Sequence, residues 1–165
     1  MLAQLIRKTS TALAVPGSRT VATPTPSMTP RLLIERAWDL KYGADWLYWG
    51  PSGMPMTGDQ IAAHAEAAAT LLRTEGWDPH GGFTDAPGHS IYSALVRAIE
   101  MDTDQRFGID TRVALRRIFE LLIRALTGAP SACYLDWDKH PTRTVEEVLG
   151  LLATAAAFAR THGKP

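Results

Sequence analysis

The sequence predicts a mainly α fold, an irregular bundle of about five helices with room for one short β-hairpin, behind a disordered N-terminal arm. Three observations carry that prediction. Capping residues recur at the right offsets before apolar stretches, apolar positions repeat with helical period, and few segments alternate as half-buried strands do. The 165 residues suit one domain, and an apolar share of 45% is that of a chain able to bury a core. Residues 1–29 are assigned to the arm and 30–165 to a single helical domain.

The arm carries Arg7, Lys8 and Arg19 without an acid, and Pro16, Gly17, Pro24 and Pro26 break any long helix. Its composition fits a plain tail, an organellar targeting segment or a docking arm that orders on a partner, and the first is favoured.

Thr29 before Pro30 has the form of an N-cap followed by proline at the first helical position, and Gly43 stops that helix after Lys41. The aromatic run from Asp45 and the Gly50-Pro51-Ser52-Gly53 turn permit a hairpin reaching Met56, with Pro55 on an edge. Thr57 and Gln60 are spaced as a capping box, with Met56 and Ile61 as a hydrophobic staple, so a helix starts there and runs through Glu75 to a stop at Gly76.

A Gly/Pro/Asp-rich loop covers Trp77 to His89, and a helix follows from Ser90 to Met101. Asp110 is read as the cap of the next helix, Thr111 to Thr127, whose apolar face takes more than half its circumference and marks it as central. A second loop spans Ala129 to Arg143. Thr144 and Glu147 then form another capping box before a last helix ending near Arg160.

No run approaches the roughly 18 apolar residues of a membrane span. Outside the arm, 14 basic residues stand against 17 acidic ones, which argues against a dedicated nucleic-acid binder. Cys133 is the only cysteine, so no intramolecular disulfide forms, and a cytoplasmic location is expected.

Four constellations could carry function. His80, Asp85 and His89 lie in a loop that Gly81, Gly82 and Gly88 let curl, so they could ligate a metal, although their spacing matches no established metal motif. Trp137, Asp138, His140 and Arg143 sit in the second loop. There neighbouring carboxylates could serve acid–base chemistry, or Trp137 could simply pin the loop to the core.

Arg112, Arg116, Arg117 and Arg124 share one helix and could meet phosphates, an acidic partner or only water, with Glu120 among them weakening the phosphate option. Trp46, Tyr48, Trp49 and Met54 cluster beside a turn, where large aromatics often anchor interfaces. Gly88-His89-Ser90 lacks the second glycine and the preceding strand of a nucleophile elbow, and Ser90 reads better as an N-cap.

From about His64 to His162 the order of features resembles an uncharacterised domain family of actinobacteria and their phages. The residues that carry it are Glu75-Gly76-Trp77 closing an Ala/Leu-rich helix, Asp136-Trp137-Asp138, then Arg143-Thr144 and Glu147-Val148. Pro141-Thr142 stands where that family usually has glycine, Trp137-Asp138-Lys139 replaces its Trp-Asn-Asp, and His89-Ser90-Ile91-Tyr92 replaces a Cys-Ala-X-Gly-Ala-like segment. The resemblance implies a fold and no established activity, substrate or cofactor.

The expectation is therefore a non-catalytic protein-interaction or regulatory module of the actinobacterial or phage accessory genome. It would need no cofactor and would bind another protein through Trp46, Tyr48, Trp49 and Met54. The alternatives are a metal-dependent enzyme built on His80, Asp85 and His89, or a DNA-associated regulator built on the Arg112 to Arg124 stripe.

Overall fold

A computed structural model describes residues 28–82 and 87–165. It contains α1 (Pro30–Asp39), α2 (Gly58–Glu75), α3 (Ile91–Met101), α4 (Ile109–Thr127), α5 (Tyr134–Asp138) and α6 (Val145–His162), with one 3-10 turn at Asp45–Leu47. The fold is thus a mainly α bundle. The arm lies outside the described residues except for Met28 and Thr29.

The caps act as their residue types dictate. Thr29 Oγ1 accepts from the Leu32 amide at 3.3 Å. Thr57 and Gln60 satisfy each other's amides at 2.9 and 3.1 Å, and Thr144 and Glu147 do the same at 3.0 and 3.3 Å. Ser90 caps α3 through the Ser93 amide, and Gly128 ends α4 in the left-handed region at φ 72°.

Four details differ from expectation. The first helix ends at Asp39 rather than Lys41. The hairpin reduces to one antiparallel bridge, Trp49 with Pro55, because the proline lacks an amide to extend the ladder. The second loop contains a sixth helix, the single-turn α5, whose cap position Cys133 supplies no side-chain hydrogen bond. Asp110 is not a cap. Gly108 holds that position, while the Asp110 carboxylate accepts from the Ser52 amide at 3.0 Å and from the Ser52 hydroxyl, clamping the 50–53 turn onto the start of α4.

The most extensive helix pair is α2 with α6, and α4 lies against both of them as well as α1 and α5, which makes it central as its wide apolar face predicts. Phe119, Phe158, Ile61, Leu95, Leu115, Ile118, Leu122 and Leu152 are fully buried in one cluster. Each such side chain contributes roughly 1.5–3 kcal/mol through removal from water. Trp38 fastens α1 to the end of α6, its ring stacked on His162 at 4.0 Å with the Lys41 ammonium 3.7 Å from its centroid.

Small residues set the α2–α6 approach. The Gly58 amide donates to the Lys164 carbonyl at 2.7 Å, and a Cβ on Gly58 would stand 2.3 Å from the Ala159 carbonyl oxygen. Alanine ordinarily favours a helix over glycine by up to about 1 kcal/mol. Here a rigid backbone atom opposes it, and overpacking of that kind costs about 1–3 kcal/mol.

One polar group lies at the centre. His64 is fully buried, its ring stacked on Phe107 at 4.9 Å and 6°. Its Nε2 lies 2.9 Å from the Leu95 carbonyl, which can only accept, so that nitrogen carries the proton. Nδ1 then accepts from the Thr111 hydroxyl at 2.8 Å, and Thr111 Oγ1 accepts from the Gly108 amide at 3.0 Å. The relay joins α2, α3 and α4, and burial holds the His64 pKa below its ordinary 6.5.

Two predictions follow from this packing. Gly58→Ala should lower the thermal midpoint, the overpacking cost of about 1–3 kcal/mol outweighing a helix-propensity gain of at most about 1 kcal/mol; an unchanged or raised midpoint would contradict the close approach. For His64, the unfolded chain binds more protons between pH 6.5 and the lowered folded-state pKa, so stability should fall as pH drops through that window. His162, also held low by burial and then by Lys41, acts in the same direction, so His64→Gln should flatten only part of the slope of urea midpoint against pH. Parallel curves for the two proteins would contradict the relay.

Candidate functional site

The second-loop residues form a structural junction. Asp138 is 1% exposed, and its carboxylate accepts from the Trp77 indole Nε1 at 2.8 Å and from the Ile91 amide at 2.9 Å. Ile91 is the first residue of α3, so the carboxylate also faces the positive end of that helix. Burial pushes the Asp138 pKa up, and the two donors and the nearby Arg143 charge oppose that shift. A carboxylate so enclosed, with each oxygen holding an N–H, is an anchor rather than a base open to a substrate.

Arg143 completes the junction. Its guanidinium lies 3.6 Å from the Trp137 ring centroid, its Nε donates to the Trp137 carbonyl at 3.1 Å, and it pairs with Glu147 at 3.2 Å. His140 stays apart and exposed, its Nδ1 engaged by the Thr142 amide and hydroxyl. Three of the four loop candidates are therefore brought together, and they join the end of α2, the start of α3 and the start of α6.

In the first loop Asp78 and His89 are engaged internally. His80 is exposed, and its amide donates to Asp78 Oδ1 at 2.9 Å. His89 Nε2 contacts Glu75 at 2.7 Å, while its backbone pairs with Gly76 and Asp78. Asp85 lies outside the described residues. Among the described residues no three His, Cys, Asp or Glu side chains converge as metal ligands would. Ser90 Oγ, on a residue 2% exposed, donates to the Gly81 carbonyl and accepts from the Ser93 amide, as an N-cap does.

The aromatic cluster divides between two surfaces. Trp46 lines an open groove of about 490 Å³ with Leu40, Tyr42, Arg117, Glu120, Leu121, Arg124 and the segment 130–132. Arg117 lies 5.7 Å from the Trp46 ring centroid, Tyr42 is wholly exposed, and Arg124 Nε is shielded from solvent without a hydrogen-bond partner. Tyr48 and Trp49 line a smaller hollow with Gly163, Lys164 and Pro165, where Tyr48 donates to the His162 carbonyl. Met54 is 63% exposed.

The arginine stripe divides as well. Arg112 and Arg116 line a hollow of about 200 Å³ with Tyr92, Val113, Tyr134 and Leu135, and Arg112 lies 5.1 Å from the Tyr92 ring centroid. Burial pushes the Tyr134 hydroxyl pKa up to about 12, so it remains a neutral phenol. Arg117 and Arg124 belong to the Trp46 groove, where burial raises the Glu120 pKa against the pull of Arg116 and Arg117. Among the described residues none of the four arginines pairs with a carboxylate, whereas Arg31, Arg97, Arg106, Arg143 and Arg160 all do.

Sequence reasoning named Trp46 and Arg117 separately and missed that they meet. It also missed Leu40, Tyr42 and the 130–132 wall. An exposed tyrosine beside the Gly43 stop was the one local signal for that surface.

Asp138→Asn should keep at most one of the two accepted hydrogen bonds, since the amide nitrogen faces another donor. The expected loss is about 1–3 kcal/mol, read as a lower denaturant midpoint with an unchanged slope. Unaltered stability would remove the junction's structural role.

No curated protein and no solved structure matches the chain. A model of the family described as a family of unknown function (DUF6197) matches residues 56–158. That stretch includes the Trp77–Asp138 junction and the whole arginine stripe, and it leaves Trp46, Tyr48, Trp49 and Met54 before its start. Since the match spans more than half of the sequence, this chain belongs to the DUF6197 family, a family of unknown function.

Proposed function

We propose that the domain is a non-catalytic protein-interaction module whose binding face is the groove between Trp46 and the C-terminal half of α4. The observation that carries this reading is the meeting, in one open groove, of the exposed Tyr42 and half-buried Trp46 rings with guanidinium groups that pair with no carboxylate among the described residues. Aromatic and arginine side chains are the residue types that dominate interface energetics. Asp138 and His89, the most enclosed acid and the most enclosed histidine among the described residues of the two loops, are engaged in holding the fold, which favours binding over chemistry.

Trp49 and Met54 extend the proposed surface beyond the groove, being 53% and 63% exposed. A single, exposed Cys133 suits a reducing compartment, so the cytoplasm is the proposed location. The likeness of the motif order to an actinobacterial and phage family supports a role in the accessory genome.

A peptide array probed with the purified protein tests the reading. A discrete set of peptides should bind, and Trp46→Ala, folded to the same thermal midpoint, should lose at least about tenfold in affinity for them, as loss of an interface anchor does. Equal binding by the variant would remove the groove from the account.

A further inference from the structure

Resting on that interaction reading, we infer the chemistry of the partner. It is an acidic peptide segment, gripped at the Trp46 groove and at a second point, the hollow of Tyr92, Arg112, Arg116 and Tyr134, which receives a carboxylate side chain. The inference stands on the state of the arginines. Arg117 faces the Trp46 ring and Arg112 faces the Tyr92 ring, at 5.7 and 5.1 Å. An aromatic face positions a guanidinium while leaving its in-plane N–H donors unspent, and those donors match a carboxylate in pairs.

Four guanidiniums thus lie along one helix with Glu120 as the single acid among them, and none forms a salt bridge within the described residues. The complementary partner is anionic. Arg112 and Arg124 are about 18 Å apart along the α4 axis, which an extended peptide of about six residues spans.

The surroundings favour a peptide over a nucleic acid. The groove includes Leu40, Leu121 and Pro130, which suit apolar side chains between acids. The hollow adds an apolar wall, Leu135, and the Tyr92 and Tyr134 rings to two guanidiniums, which is a setting for one carboxylate with its methylene stem.

Fluorescence anisotropy on the full chain at low salt tests this with three labelled probes: a peptide of about ten alternating glutamates and leucines, the same peptide with glutamine for glutamate, and an oligothymidylate of similar length. The acidic peptide should bind at least about tenfold tighter than its amide counterpart. Arg116→Gln and Arg117→Gln, both at exposed positions, should each weaken the acidic peptide severalfold and leave the amide peptide unchanged. Arg112→Gln should do the same, reporting the second point of contact.

Equal affinity for the two peptides, tighter binding of the oligothymidylate, or no binding of any probe would overturn the inference. Equal affinity that Trp46→Ala abolishes would overturn the acidic assignment alone and leave the interaction module standing. Loss with Arg117→Gln but not with Arg112→Gln or Arg116→Gln would overturn the second contact point.

Discussion

The carboxylate of Asp138 holds three separate stretches of chain in one place, and the rest of the bundle is arranged around that tie. Removing a charge from water is costly unless its oxygens find hydrogen-bond donors and nearby positive charge. Here the Trp77 indole and the first amide of α3 supply the partners, with a helix N-terminus and Arg143 adding favourable charge. Because Trp77 directly follows the Gly76 stop of α2, the tie fixes where α2 ends relative to where α3 begins. Arg143, stacked on Trp137 and bonded to Glu147, carries the same constraint into the start of α6. The long α2–α6 contact then closes at its far end through Gly58 against Ala159 and Lys164.

This division of labour explains why Trp77, Trp137, Asp138 and Arg143, which stand out in the sequence, are half-buried or buried. Trp137, Asp138 and Arg143 invite an acid–base reading because they gather an acid, an aromatic ring and an arginine. Their geometry instead satisfies one another. The arginines that form no salt bridge among the described residues include the four on α4, within the family match, while Trp46, Trp49 and Met54 precede its start.

Legibility in the sequence followed the range of the interactions. Thr57 with Gln60, Thr144 with Glu147, and Ser90 act within one helical turn, so residue type and offset sufficed to place three helix starts. Asp110 has the chemistry of a cap, but a serine far back in the chain claims its carboxylate, and no local pattern records that pairing. The single-turn α5 has too few residues for a period and no capping side chain. His64 sits in an alanine-rich stripe, where its burial depends on an acceptor from α3 and a hydroxyl from α4. The Trp46–Arg117 groove was divided between two local readings for the same reason: an aromatic cluster and an arginine stripe are each visible alone, and their meeting is a tertiary fact.

The central claim is that the Trp77–Asp138 junction is architecture and the Trp46–α4 groove is the working face. The five tryptophan indole N–H signals of a nitrogen-15 NMR spectrum separate these roles in one titration with the Glu/Leu peptide. The account predicts that the Trp46 signal moves progressively as peptide is added, while the Trp77 signal stays in place and exchanges slowly with deuterium, as a buried donor does. A peptide that shifts Trp77 and Trp137 while leaving Trp46 unmoved, or a Trp77 indole that exchanges freely, would contradict it.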